Sequence, residues 1–249
     1  MLKIENQHVF ILCANHSGST ALYLLMSTSA NVSAIRSNGS ILEGQIVPSV
    51  KSHMPYAKES DKGLFYLHKK TYKKFENYNW KEIKKEWFKH WDVKCPVLVE
   101  KSTTNLYRKN MLEENFYNSK FLIMVRNPYA MCESIKRKHH VDVSLAIKHW
   151  IDTTEQQIQN VDKNSLIFTY EQLCDNTRDI VSKIIDFVPQ IINLEYKSYL
   201  NRPRYESVCG LENMNLEQIK KLSNEDIKSI SKELEKNKEI LDFFDYKII

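Results

Sequence analysis

The strongest restraint on this fold is a rhythm. Four short apolar runs, VFILCA from Val9, VLVEKS from Val97, FLIMVR from Phe121 and SLIFTY from Ser165, are separated by stretches patterned for helices. Each run is short, rich in branched residues and apolar at successive positions, as strands buried on both faces of a parallel sheet are. VSAIR from Val32 is a weaker fifth. ALYLLMSTS, NWKEIKKEWFKHW, NLYRKNMLEENF, NPYAMCESIKRKHH and VDVSLAIKHWIDTTEQQIQN read as helices, and in the second Trp80, Ile83, Trp87 and Trp91 share one face. The alternation predicts an α/β fold: a doubly wound, mostly parallel sheet of about four to five strands flanked by helices, with ligands beyond the carboxyl ends of the strands. From about Asn201 the strand pattern stops, and two helices are expected at Leu216–Leu222 and Asn224–Phe244. The chain therefore reads as a single domain over 1–249, with an α/β core over 1–200 and a loop plus C-terminal helices over 201–249. Ser49 to Asn79 follows no clear period and is expected to hold helical pieces or a lid.

A chain of 249 residues can bury one substantial core. No window approaches the roughly 18 uninterrupted apolar residues of a membrane span. The amino terminus has no small-residue cleavage site of a leader, so its apolar run is assigned to the first strand. Cys13, Cys95, Cys132, Cys174 and Cys209 are odd in number, far apart and without a CxxC pair. That speaks against a disulfide frame or zinc site and for a cytoplasmic, reducing setting. The net charge of +5 rests mostly on Lys, and Lys69, Lys70, Lys73, Lys74, Lys81, Lys84, Lys85 and Lys89 crowd one segment. This is either a solvated helical face or a landing surface for an anionic acceptor. No nucleic-acid-binding motif accompanies it.

The chemistry gathers at strand ends. In ILCANHSGST, Ile11 to Thr20, an apolar run breaks into a turn at Gly18, and a helix begins near Ser19. Backbone N–H groups and a helix dipole then converge on one spot, with Ser17, Ser19 and Thr20 adding hydroxyls. Read alone, the stretch is equally a tight turn capped by Ser or Thr. Against the triphosphate-binding pattern GxxxxGK[ST] it fails, because Cys13 stands at the first Gly and Ser19 at the Lys. A second element, VRNPYAMCES, places Arg126 at a strand end, Asn127 at an N-cap, Pro128 at the first helical position and Ser134 about two turns on. A phosphate over that helix would receive the Arg fork and the Ser hydroxyl together.

With these residues the sequence resembles the sulfotransferases that use 3′-phosphoadenosine 5′-phosphosulfate (PAPS). His16-Ser17-Gly18-Ser19-Thr20 is similar to the family's [RK]-S-G-[ST]-[ST] loop, which holds the 5′-phosphosulfate. Arg126-Asn127-Pro128 to Ser134 is similar to its R-[ND]-P-x-x-x-x-x-S element, whose Arg and Ser hold the 3′-phosphate. FTYEQLCDNTRDIVSKIIDFV from Phe168 resembles a third family segment, so the likeness runs in order from Val9 to Val188. The resemblance implies sulfuryl transfer without a metal, with adenosine 3′,5′-bisphosphate as the product. It also implies that Arg204 and Ser207, in NRPRYESVCGL beside Arg202 and Gly210, close over the 3′-phosphate. His16 departs from the pattern, because the family carries a fixed cation there. An imidazole with an ordinary pKa near ~6.5 is mostly neutral at neutral pH unless an anion favours its charged form. Lys101, in VLVEKST, is the cation expected to share the developing charge.

Sulfuryl transfer, like phosphoryl transfer, rests on positioning and electrostatics, and the acceptor hydroxyl needs a base. Glu43, in ILEGQIVPSV, stands five residues before Pro48. That spacing resembles the base segment of tyrosylprotein and some carbohydrate sulfotransferases, and His53 and Glu100 stand in reserve. His139 and His140, adjacent on a helix and so pointing apart, are a poor metal pair and are assigned to a solvent face or to acceptor contacts. Trp150 and Tyr170 are assigned to the core. The acceptor expected first is a carbohydrate hydroxyl, with an anionic glycan suited to the basic segment, and second a peptide tyrosine. The rival readings are a P-loop nucleotide kinase and a non-catalytic binder of anionic glycans.

Overall fold

The structure is a computed structural model that describes residues 5–37, 40–51, 53, 78–196 and 211–249. The five predicted strands form one parallel sheet: β1 (Gln7–Leu12), β2 (Val32–Ala34), β5 (Val97–Lys101), β6 (Ser119–Val125) and β7 (Ser165–Thr169), in the order β2-β5-β1-β6-β7. VSAIR does more than predicted. After Ala34 the chain makes a small antiparallel pair, β3 (Arg36–Ser37) with β4 (Ser40–Ile41).

Side-chain alternation sorts the central strands onto two cores. Val9 and Ile11 of β1, Val97 and Val99 of β5, and Leu122 and Met124 of β6 face one side. Helices α1 (Ser19–Met26), α7 (Tyr170–Asp175) and α8 (Thr177–Phe187) supply Leu22, Leu173 and Ile184 to that layer. Phe10, Leu12, Leu98, Phe121 and Ile123 face the other side, against Ile83, Trp87 and Trp91 of the α3 region (Trp80–His90). The aromatic stripe read from the sequence is thus a core stripe. The lysines of α3 lie off it, where Lys85 pairs with Glu82 and Lys89 with Glu86 on the solvent face. Lys69, Lys70, Lys73 and Lys74 lie outside the described residues.

A third apolar cluster joins α5 (Pro128–His139) and α6 (Val143–Gln159) to α10 (Asn224–Glu235) and α11 (Lys238–Phe243). Trp150 is fully buried there, and Tyr170 lies in the first core. The tail differs from expectation. The helix predicted as one piece over 224–244 breaks at Asn237, whose backbone leaves the helical region (φ −129°) while its side-chain amide bonds the Glu233 carbonyl at 2.8 Å. Asn competes with the helix for its own carbonyls in this way. NLYRKNMLEENF is likewise shortened to a 3-10 turn (Thr103–Tyr107) followed by α4 (Lys109–Asn115). Asn105 and Arg108 are drawn inward there, toward the buried Glu100.

Register brings the working ends of the strands to one edge. Ile11 pairs with Lys101, Leu12 with Ile123 and Val125 with Thr169. The chain leaves β1 toward β2 on one side and later passes β1 to enter β6 on the other, so a crevice opens beyond β1. The Gln157 amide donates to the carbonyls of Leu12 (3.1 Å) and Met124 (2.8 Å), which ties β1 to β6 just beneath that crevice.

Candidate active site

Beyond β1, two residues adopt left-handed backbone: His16 (φ 64°) and Gly18 (φ 88°). Gly18 suits this because it has no Cβ, and a Cβ there would stand 2.5 Å from the Tyr170 ring. The Ser17 hydroxyl bonds back to the Ala14 carbonyl (2.6 Å), and α1 starts with no side-chain cap. The capped-turn alternative therefore does not describe this loop. Its helix start meets a cleft of about 400 Å³ in which His16, Gly18, Ser19 and Thr20 form one wall. Ser17 is buried and is not among the residues lining the cleft.

The facing wall comes from β5 and the segment after β4. Lys101, at the end of β5, is only 4% exposed; it forms an ion pair with the Glu43 carboxylate and reaches the Thr20 hydroxyl at 3.4 Å. Glu43 precedes a 3-10 turn (Gly44–Ile46) that leads into α2 (Pro48–Lys51). Three sequence-predicted residues, Glu43, Lys101 and Thr20, thus meet in one place.

A buried network holds that turn. Glu100 accepts from the Gly44 amide (2.8 Å), from the Ser102 hydroxyl and from the Asn105 side chain (2.6 Å). The Gly44 carbonyl accepts from Trp87 Nε1 (3.1 Å). Gly44 admits no side chain, since a Cβ would lie 2.6 Å from a Glu100 oxygen. Gln45 donates to Glu43 (2.7 Å) and accepts from the Thr104 hydroxyl (2.7 Å). Glu100 is fully enclosed and is not among the residues lining the cleft, so it serves as a scaffold; burial also pushes its carboxyl pKa up. His53 is not among the cleft-lining residues either.

The second predicted element lies behind the loop. Arg126 is buried, stacked 4.4 Å over Tyr170, and donates to Asn215 (2.9 Å), Gln218 (2.6 Å) and the His16 carbonyl (3.0 Å). Asn215 and Gln218 belong to the short helix α9 (Asn215–Ile219), a partnership with no local signal in the sequence. Asn127 caps α5 as expected, accepting from the amides of Tyr129 and Ala130. Ser134 meets the His16 Nδ1 at 3.0 Å, so His16 links the two predicted elements. Arg204 and Ser207, with Arg202 and Gly210, lie outside the described residues.

His16 itself differs from expectation. Its Nδ1 faces Ser134, and its Nε2 faces the Nε2 of His139 at 2.8 Å. Burial, then the nearby positive charges and imidazoles, holds its pKa down to about 3, so the ring is neutral. Of the two places assigned to these histidines, His139 takes the cleft, which it lines with Lys138, while His140 ends α5 in a left-handed cap and is exposed to solvent. The run of cations closing α5 was the available signal, but only the packing of α5 beside the loop brings Lys138 and His139 to the cleft.

Among the described residues, no helix is long and apolar enough to cross a membrane, and no three His, Cys, Asp or Glu side chains are grouped to hold a metal.

The model of the sulfotransferase family matches residues 8–190. No curated protein matches the sequence significantly. Among solved structures the chain is similar to the sulfotransferase domain from the curacin biosynthetic pathway, with 16% identity, 98% of this chain and 99% of that one covered, and a TM-score of 0.59. It is also similar to the sulfotransferase domain of the Synechococcus olefin synthase (17%, 91% and 94%, 0.55). A third likeness is to a mouse sulfotransferase complexed with PAP (11%, 96% and 86%, 0.51). At such identities the likeness is one of fold.

Proposed function

The chain belongs to the sulfotransferase family, and from that premise we propose that it transfers a sulfuryl group from PAPS to an acceptor hydroxyl, with a carbohydrate as the acceptor class. The observation that carries this reading is the meeting of Glu43, Lys101 and Thr20 at the mouth of the Gly18 loop. A proton acceptor, a cation and an anion-binding helix start stand together there, the set that sulfuryl transfer to a hydroxyl needs.

The residues fit the donor. Ser19, Thr20 and the start of α1 would hold its phosphosulfate end, at a turn whose left-handed backbone at Gly18 packs against Tyr170 too closely for a side chain. Arg126 and Ser134 would hold the 3′-phosphate once the neutral Gln218 amide gives way to a charged oxygen, a stronger partner for a guanidinium. When bound, the donor supplies the activated sulfuryl group.

Glu43 takes the acceptor's hydroxyl proton. Lys101 fixes that carboxylate through their ion pair and offsets negative charge beside Thr20. His16, with both ring nitrogens engaged, keeps the loop in place. Lys138, His139 and Gln45 make the cleft polar and partly cationic, which suits an acid-bearing sugar.

Titration with adenosine 3′,5′-bisphosphate should give saturable binding. Glu43→Gln should abolish transfer of labelled sulfuryl while leaving that affinity nearly intact. An acceptor panel containing acidic glycans and tyrosine peptides separates the two acceptor classes, and labelling of the peptides alone would displace the carbohydrate reading. Magnesium-dependent ATP binding without bisphosphate binding would displace the sulfotransfer reading itself.

A further inference from the structure

The clasp on Arg126 is itself held, by groups that take no part in the transfer chemistry. The Asn215 side chain accepts from Arg126 Nε at 2.9 Å and donates its NH₂ to the Glu171 carboxylate. A guanidinium only donates and a carboxylate only accepts, so one orientation of the amide satisfies both. Glu171, in the first turn of α7, accepts on the same oxygen from the Asn127 amide (2.9 Å) and on its other oxygen from the Tyr246 hydroxyl (2.7 Å). Tyr246, beyond α11, lies against Trp150 with ring centroids 6.3 Å apart, and Trp150 Nε1 donates to the Arg126 carbonyl (2.8 Å). We propose that Glu171 is a positioning residue of the donor site: held by Tyr246, it locks the Asn215 amide and through it aims the Arg126 guanidinium at the 3′-phosphate. The proposal rests on the reading of Arg126 and Ser134 as the 3′-phosphate site.

The geometry gives Glu171 a directional task that packing alone does not require. Arg126 and Asn215 are both buried, and in such surroundings a carboxylate polarises the amide that stands between it and a cation. Without Glu171 nothing distinguishes the two ends of that amide, and a turned NH₂ would meet the guanidinium donor to donor. The Tyr246 hydroxyl keeps its proton for Glu171, because burial and then the carboxylate beside it hold its pKa well up. Gln218 makes its own bond to Arg126 (2.6 Å) from the same short helix α9. When a phosphate takes the place of Gln218, the Asn215 bond at Nε still fixes the plane of the fork, and that plane decides whether two parallel bonds to a phosphate can form. Asn215, Gln218 and Tyr246 lie beyond the residues 8–190 that the family model matches, so this support is not part of what that match describes.

Calorimetric titration with adenosine 3′,5′-bisphosphate and with adenosine 5′-monophosphate gives a ratio of affinities that isolates the 3′-phosphate. Partial unfolding weakens both nucleotides by one factor, so a merely structural loss leaves the ratio where it was. Wild type should prefer the bisphosphate, and Arg126→Ala should remove most of that preference. Glu171→Ala should lower the ratio by about tenfold, the scale of one charge-assisted hydrogen bond. Glu171→Gln should restore it, because the amide oxygen can serve Asn127 and Asn215 while the NH₂ donates to the Tyr246 oxygen. Tyr246→Phe keeps its ring on Trp150 and should lower the ratio by a smaller factor; should Glu171→Ala not fold, this variant decides by the same ratio. An undiminished ratio in the deciding variant overturns the proposal and leaves the 3′-phosphate reading standing. So does a loss in Glu171→Gln equal to that in Glu171→Ala, since orientation would then not be what Glu171 supplies. Equal affinity of wild type for both nucleotides removes the 3′-phosphate reading, and the proposal with it.

Discussion

Gly18→Ala probes the loop at its tightest point. The substitution meets two separate costs. A φ of 88° is left-handed, which costs an alanine about 1–2 kcal/mol. The new methyl would lie 2.5 and 2.7 Å from two carbons of the Tyr170 ring. That ring cannot retreat freely: it is 5% exposed, stacks under the Arg126 guanidinium at 4.4 Å, and donates its hydroxyl to the Glu212 carbonyl. Overpacking a buried site of this kind costs about 1–3 kcal/mol, so the two contributions together come to about 2–5 kcal/mol. Urea denaturation of wild type, Gly18→Ala, Tyr170→Val and the double variant separates them. With the ring removed, Gly18→Ala should cost only its backbone share of about 1–2 kcal/mol. The coupling between the sites should then be about 1–3 kcal/mol. Bisphosphate affinity should fall in Gly18→Ala and recover partly in the double variant, because the loop regains its path. An identical cost for Gly18→Ala in both backgrounds would refute the argument that Tyr170 sets the glycine requirement.

Two further perturbations test the buried polar groups. His149 is almost wholly enclosed in α6, and burial lowers its pKa to about 3. The unfolded chain, with an imidazole near ~6.5, therefore binds the extra proton between these values, and stability is intact above pH 6.5 and lost as pH falls toward 3. Between pH 7 and 5 this one group should remove about 2 kcal/mol, so His149→Leu should flatten the acid limb of a stability–pH curve by that amount; an unchanged slope would place the acid sensitivity elsewhere. Glu100→Gln replaces a carboxylate that accepts from Gly44, Ser102 and Asn105 with an amide whose NH₂ must face at least one donor. It should cost about 1–3 kcal/mol and lower kcat more than nucleotide affinity, because Glu43 loses its orientation. A loss of stability with kcat unchanged would separate the Glu100 network from Glu43.

Much of the architecture was legible in adjacent residues. All five apolar runs became strands of the parallel sheet, because a strand buried on both faces is marked by its own composition. Helices were legible in type but less so in extent. Asn237 and the pair Asn105 and Arg108 each redirect the chain through side-chain bonds that helical periodicity does not register. At the site, Gly18 was legible because a strand–turn–helix is a local event. The enclosure of His16 between Ser134 and His139 was not, since it follows from the packing of α5 and α6, far along the chain. Nor was the clasp of Arg126 by Asn215 and Gln218, made across the whole core.

The sequence alone determined the strand–loop–helix at Gly18, the N-cap of α5 at Asn127 and the alternation that makes the sheet, all of which depend on neighbours within a few residues. Tertiary structure decided which charges meet. Lys101 and Glu43 face each other because β5 lies beside β1 and the turn after β4 is anchored on Glu100. The same packing holds the His16 pKa well below the ordinary imidazole range and makes the ring a neutral partner of Ser134 and His139. The physical reason is that charge state depends on burial and on groups brought near by strand order, and neither is written in the identity of the residue itself.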